Sequence, residues 1–281
     1  MATLYPDWAG LPQEMVATVM RALDIPDLFR AGTVCSSWYA AYSDVRRVRI
    51  PITDAAPCLL YSARDNGDAS DATLYSPSSG GKAFKVRLPD PPLGSRALVG
   101  SSHGWLAAAD EASNLHLVNP LTGAQVALPP VMALYHVESS VDEQGSLEYS
   151  VQEGEDPDDP VRYPAQMAQK LRLFLYYKVA MSCSPSKVRD RIVLLLHRPD
   201  GQISFAHIGD DKWTQITDQT LKWDSGYRDA LYNKNDGLFC VLSFDGSMLT
   251  SDPSDPSSPV AKDIVLAADR WFFSFHSAKR V

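Results

Sequence analysis

Leu117-Val118-Asn119-Pro120-Leu121-Thr122-Gly123 repeats, with changes, the earlier stretch Leu74-Tyr75-Ser76-Pro77-Ser78-Ser79-Gly80. The paired prolines and the paired glycines both stand 43 residues apart. Further on, Pro199-Asp200-Gly201-Gln202-Ile203 is echoed by Phe244-Asp245-Gly246-Ser247-Met248, with Gly201 and Gly246 separated by 45. Short apolar or alternating runs flank these turns, broken by Gly, Pro, Asp and Asn, which is how an all-β domain rich in tight turns reads. A period in the low forties is the length of one four-stranded propeller blade. The spacing predicts about four visible blades, at Leu59 to Leu88, Ala97 to Leu128, Leu171 to Ile216 and Ala230 to Val265, and leaves closure of the ring open.

The N-terminal region has a different texture. Leu11-Pro12 is followed by Met15, Val16, Val19, Met20 and Leu23, which form one stripe on a helix. Pro12 suits a helix start, where its missing N–H costs nothing. Pro26-Asp27 opens a second helical pattern carrying Leu28, Phe29, Ala31 and Val34, and Ser36 or Ser37 is placed to cap a third with Trp38, Ala41, Tyr42 and Val45. The expected fold is therefore a small all-α module over 1–48, a β-propeller-like repeat domain over 55–268 and a C-terminal tail over 269–281, with the domain boundary near Arg46 to Pro57.

Composition supports a packed, soluble chain: 281 residues, 45% apolar, 10% aromatic and 21% charged. The longest apolar runs, such as Ile192 to Leu196, fall far short of the roughly 20 residues that span a bilayer. Met1 to Gly10 lacks a basic segment leading into an apolar stretch, so no signal peptide is expected. Cys35, Cys58, Cys183 and Cys240 stand far apart, and structural disulfides are not expected. These features predict an intracellular protein, cytoplasmic or nuclear, with no membrane partner.

The net charge is −8, and one segment accounts for it. Between Glu138 and Tyr163 nine acids face a single base, Arg162. This acidic stretch, 138–163, reads as a mobile surface loop, too long and polar for a hairpin turn. The rest is balanced and carries no basic stripe, which argues against a nucleic-acid partner.

Motifs for chemistry are weak. Gly100-Ser101-Ser102-His103-Gly104 matches the G-x-S-x-G nucleophile elbow, a remote serine-hydrolase reading at Ser102. That mechanism needs a helix after the turn, whereas Trp105 to Asp110 reads as a strand with Trp105 in the core. The six histidines form no H-x-x-x-H array, and no C-x-x-C is present, so no metal is expected. Asp156-Pro157-Asp158-Asp159-Pro160 lacks the glycine and terminal glutamate of a calcium loop. No phosphate-cradling glycine loop occurs. No cofactor and no catalytic residue is expected; the protein reads as a non-enzyme.

Trp8-Ala9-Gly10-Leu11-Pro12-Gln13-Glu14 through Leu23, then Asp27-Leu28-Phe29-Arg30, then Val34-Cys35-Ser36-Ser37-Trp38, resembles the F-box. Met15 and Met20 stand where Leu or Ile is commoner in that family. The repeat region, with Gly100 to Leu106, Leu117 to Gly123 and Leu128-Pro129-Pro130, resembles the propeller of plant KIB-type F-box proteins, and the similarity runs from about Pro57 to Val265. The resemblance implies a substrate-recruiting subunit of a Skp/cullin/F-box ubiquitin ligase. In it the helical module binds a Skp-type adaptor, and through it a cullin, while the propeller binds a target protein. It implies an adaptor-binding set of Trp8, Leu11, Pro12, Glu14, Val16, Val19, Met20, Leu23, Asp27, Leu28, Val34, Cys35 and Trp38. Three short helices bury little surface by themselves, so Leu11, Pro12, Val16, Leu28 and Val34 are expected to be exposed for a partner's groove. A non-degradative scaffold or a truncated inhibitory F-box protein remains the alternative.

Overall fold

The computed structural model describes residues 7–23, 25–48, 57–61, 71–77, 81–153, 161–162, 166–185, 191–199, 201–216, 226–244, 246–253 and 262–264. Three helices open it: α1 (Gln13–Ala22), α2 (Ile25–Ala31) and α3 (Ser36–Val48). Every sheet that follows is antiparallel. The first holds β1 (Leu59–Tyr61), β2 (Asp71–Ser76) and β3 (Lys82–Arg87); the second holds β4 (Ala97–Ser102), β5 (Trp105–Ala109), β6 (Leu115–Val118) and β7 (Gln125–Ala127). Next come β8 (Val137–Val141), β9 (Leu147–Glu153), β10 (Val161–Arg162) and β11 (Gln166–Met167), then the short helix α4 (Ala168–Leu171). A sheet of β12 (Tyr176–Met181), β13 (Ile192–His197), β14 (Gln202–His207) and β15 (Thr214–Gln215) precedes one of β16 (Tyr227–Asn233), β17 (Leu238–Ser243), β18 (Met248–Ser251) and β19 (Lys262–Ile264).

Four of these sheets are meanders at the places where the repeats predict blades. The repeated turns also fall at equivalent positions. Pro77 follows β2 and Pro120 follows β6, so β2 corresponds to β6 and β3 to β7. The Gly201 and Gly246 turns likewise join β13 to β14 and β17 to β18. Asn119 closes its turn with its own side chain: Oδ1 accepts from the N–H groups of Leu121 and Thr122 at 2.9 and 3.0 Å, and Gly123 follows with φ 71.

The order of the sheets comes from strand β12, which runs beside β4 on one side and β16 on the other. At Gly100 the approach to β12 is so close that a Cβ would lie 2.9 Å from the Val179 carbonyl oxygen. The salt bridge from Lys178 Nζ to Asp229 Oδ1, 2.7 Å, ties β12 to β16. Two large apolar clusters fill the space between sheets. One joins Trp105, Leu115 and Leu117 to Val179, Val193 and Leu195, and the other joins Leu194, Leu196 and Ile203 to Phe239, Val241 and Leu249. Every residue of β13 is buried, as an aliphatic strand covered on both faces must be. A smaller cluster of Leu74, Val86, Leu93 and Val118 joins the first sheet to the second. Among the described residues no such cluster joins the fourth meander to the first.

Because β4 and β12 are neighbours, the intervening sheet β8 to β11 is an insertion beside the blades. Within 138–163, expected to be a loop, residues 138–153 form a hairpin instead, with Val137 opposite Val151 and Val141 opposite Leu147. The acids did not prevent pairing because Val137, Tyr149 and Val151 alternate with them and enter the large core cluster, so one face of the hairpin is apolar. The Asp156 to Pro160 run and the 269–281 tail lie outside the described residues.

Where the elbow motif stood, His103 and Gly104 form a two-residue turn with φ 51 and 75, and β5 follows directly. No helix follows Ser102 there, and Trp105 is buried as expected. No helix among the described residues is long and apolar enough to cross a membrane.

The insertion is latched to the third meander by two imidazoles. His136 and His197 stack with ring centroids 4.9 Å apart and planes 7° from parallel. The Arg198 carbonyl oxygen lies 2.8 Å from His197 Nδ1, and Ser204 Oγ lies 2.8 Å from Nε2. Burial pushes His136 down to about 4, and burial followed by its neighbour's charge pushes His197 down to about 3. The unfolded chain, with histidines near 6.5, therefore binds more protons than the folded one at acid pH. Their contribution to stability is complete above about pH 6.5 and is lost as the pH falls from there through about 4 for His136 and about 3 for His197. Urea midpoints are expected to fall steadily between about pH 7 and about pH 4, and His136→Phe is expected to flatten that dependence; an unchanged profile would refute this cause. Gly100→Ala forces β4 away from the Val179 carbonyl and is expected to cost about 1–3 kcal/mol in urea unfolding; a cost near zero would show that the sheets have room to spare.

Candidate partner-binding face of the helical module

The helical module carries its own small core. Val16, Ala17 and Met20 of α1 meet Leu28 and Ala31 of α2 and Ala41, Tyr42 and Val45 of α3, with Leu11, Leu23 and Trp38 packed around them. Gly32 lets α2 close on α3: a Cβ there would lie 2.7 Å from the Tyr42 ring. Gln13 Nε2 donates to Asp44 Oδ2 at 2.9 Å, and the chain ahead of α1 is tied to α3 by Trp38 Nε1 to the Trp8 carbonyl, 2.9 Å, and Ser37 Oγ to the Ala9 carbonyl, 3.2 Å. The Cys35 carbonyl accepts the Tyr39 N–H at 2.8 Å and starts α3, while the Ser37 hydroxyl, 3.1 Å from its sulfur, holds the Cys35 thiol below its usual range.

The residues singled out in the sequence divide into two groups. Val16, Met20 and Leu28 are buried inside the module, and Leu11, Leu23 and Trp38 lean on that core. The expectation that Val16 and Leu28 are exposed is therefore wrong: α1 turns both Val16 and Met20 inward, and α2 closes over them with Leu28. Trp8, Pro12, Glu14, Val19, Asp27 and Val34 are exposed, and Cys35 is half-buried. Asp27 accepts from Arg30 Nη1 at 2.9 Å, an exposed pair worth well under 1 kcal/mol. Beyond these, Met15 at 56% and Tyr39 at 60% exposure lie open as large apolar side chains. At about 100° per residue Met15 and Val19 share one flank of α1, roughly a quarter-turn from the side that carries Val16 and Met20. That spacing was readable in the sequence, where both were assigned to one undivided stripe. The module touches the first sheet through Arg30, whose guanidinium lies 5.8 Å from the Phe84 ring centre.

A small helical core that leaves Trp8, Met15, Val19, Val34 and Tyr39 in water suits an element built to be covered. Residues 8–48 match the F-box-like family model, and residues 74–278 match that of the KIB1-4 β-propeller. The chain belongs to the KIB1-4 β-propeller family. Its helical module is an F-box and its sheets are propeller-like. An F-box/kelch-repeat protein of Arabidopsis thaliana is 35% identical over 43% of the chain and 32% of its own length. A probable F-box protein of the same plant is 22% identical over 86% of the chain and 61% of its own length. The chain thus spans less than two thirds of either relative. Among solved structures, YCF48 bound to a D1 peptide is 11% identical over 74% of this chain and 72% of that one, with a TM-score of 0.30. Regucalcin, a calcium-binding protein of Agrobacterium tumefaciens, is 11% identical over 66% and 64%, with a TM-score of 0.25. Scores this low carry no weight for the topology, which rests on the strand pairings themselves.

The division between inward and outward residues has a measurable consequence. Met20→Ala opens a cavity in the F-box core and is expected to cost about 2–5 kcal/mol. Val19→Ala, on the open side of the same helix, is expected to change stability by less than about 0.5 kcal/mol. Equal losses in thermal unfolding of the two variants would show that α1 is turned differently.

Proposed function

We propose that this protein is the target-recruiting subunit of a Skp/cullin/F-box ubiquitin ligase. Its F-box holds a Skp-type adaptor, its propeller-like domain holds a target, and a separate enzyme of the assembly transfers ubiquitin. The observation that carries the reading is the F-box that keeps its own core while exposing large apolar side chains. Burying such side chains in an adaptor groove is worth roughly 1.5–3 kcal/mol each, which is the scale of an interface hot spot.

Within this reading the adaptor-binding residues act in two ways. Trp8, Pro12, Val19 and Val34, with Met15 and Tyr39 added by the geometry, supply the contact surface, and Glu14 and Asp27 supply its polar margin. Leu11, Val16, Met20, Leu23, Leu28 and Trp38 hold the helices at the angle that presents that surface, and Cys35 anchors the start of α3. Loops at one end of the sheets supply the broad surface on which a target is selected. Adaptor and cullin partners of this kind operate in the cytoplasm or nucleus.

Co-purification of the full chain with a plant Skp-type adaptor tests the assignment. Met15→Asp combined with Val19→Asp places two charges on the open side of α1 without touching its buried side. The double variant is expected to weaken adaptor binding at least about a hundredfold, about 2.7 kcal/mol, with an unchanged melting temperature. Full binding by a folded double variant would overturn the proposal.

A further inference from the structure

The inserted hairpin presents an open strand edge. Strand β8 pairs with β9 on one side, and among the described residues no strand pairs with its other side. The Asp142 N–H donates to the Ser146 carbonyl and the Gln152 N–H donates to the His136 carbonyl, at 3.0 and 2.9 Å. Antiparallel pairs alternate, so positions 138 and 140 also face β9, and Ser139 and Val141 direct their N–H and C=O groups to the open side. All four residues from Glu138 to Val141 are exposed. An unpaired row of backbone donors and acceptors is a template for another extended chain.

The two faces of the hairpin define what that chain must be. Ser139 and Val141 share a face with Tyr149 and Leu147, and its outer end is apolar and open, with Val141 66% and Leu147 45% exposed. The other face carries carboxylates: Glu138 lies opposite Ser150, and Glu148 lies opposite Ser140. Across a strand pair, side chains on the same face are neighbours about 4.5–5.5 Å apart. A strand added to β8 therefore sets its residues alternately beside Ser139 and Val141 on one face and beside Glu138, which accepts from Gln152 Nε2 at 2.6 Å, and Ser140 on the other, with Leu147 and Glu148 one strand further in.

We propose that the open edge of β8 binds an extended peptide segment of a partner protein, added as a strand, whose side chains alternate between apolar residues and Lys or Arg. The backbone edge supplies affinity, the Glu138 and Glu148 side supplies the preference for basic residues, and the Val141 and Leu147 side supplies the preference for apolar ones. This surface lies on the insertion and does not depend on the F-box. Loss of adaptor binding would leave it intact, and its failure would leave the ligase reading intact.

The test titrates the full chain with a fluorescent peptide of roughly eight residues alternating Lys and Val, read by anisotropy, with Glu–Val and all-Lys peptides as controls. The Lys–Val peptide is expected to bind saturably, and the Glu–Val peptide is not. Ser139→Pro removes an outward N–H without breaking the ladder to β9, and is expected to weaken binding at least about tenfold while the melting temperature holds. Glu138→Lys with Glu148→Lys, which leaves the backbone edge untouched, is expected to reverse the preference towards the Glu–Val peptide. Absence of saturable binding, equal binding of the all-Lys peptide with no effect of proline, or dimerisation of the chain through β8 in sedimentation would each overturn the proposal.

Discussion

The contact between β4 and β12 governs the β domain. A four-stranded sheet with two apolar faces is unstable in water until both are covered, and the cover here is the neighbouring sheet. At Gly100 the two backbones approach to a distance that no side chain permits. Ala107, Ala108 and Ala109, all buried on the adjoining strand, keep the same region narrow. With that spacing set, the larger residues Trp105, Leu117, Val179 and Leu195 interlock away from the narrow point. The same strand β12 then passes the arrangement on to β16, so three sheets inherit one geometry from one glycine position.

The F-box solves a different problem. Three helices of this length cannot enclose a large core, and theirs consists of a few residues from each. Small size has a functional use, since a helix with one buried side must leave its other side to water or to a partner. Trp8 and Trp38 show how the exposed side is kept orderly: the indole of one donates to the backbone of the other, so the N-terminal approach is held against α3 without burying Trp8.

Much of this was legible in the residues. The repeated Pro and Gly positions mark equivalent turns in successive sheets because a tight turn needs those residue types whatever surrounds it. The Leu11-Pro12 start and the Pro26-Asp27 signal marked the first two helices for similar local reasons. Two features were hidden for one physical cause, which is that hydrophobic pattern reports that a side will be buried and does not say against what. The stripe on α1 ran together Val16 and Met20, which face the module, with Met15 and Val19, which lie exposed on the adjoining flank. In the acidic stretch, Val137, Tyr149 and Val151 were outweighed by the charge around them, although three alternating apolar residues suffice to seat a hairpin on an existing core. The His136 and His197 pair left no trace in the sequence, because the two residues meet only after the insertion folds back.

The insertion also explains how the chain concentrates its charge without losing its fold. Nine acids placed within a blade would face the low-dielectric space between sheets, where unpaired carboxylates are strongly disfavoured. On a hairpin that leaves the path between β4 and β12, Glu138 and Glu148 lie on the side opposite the one through which Val137, Tyr149 and Val151 join the core. The blades can thus keep their close contact whatever sequence the insertion carries, provided that Val137, Tyr149 and Val151 remain to anchor it. A surface held in this way can change its charge and its partners independently of the framework that supports it.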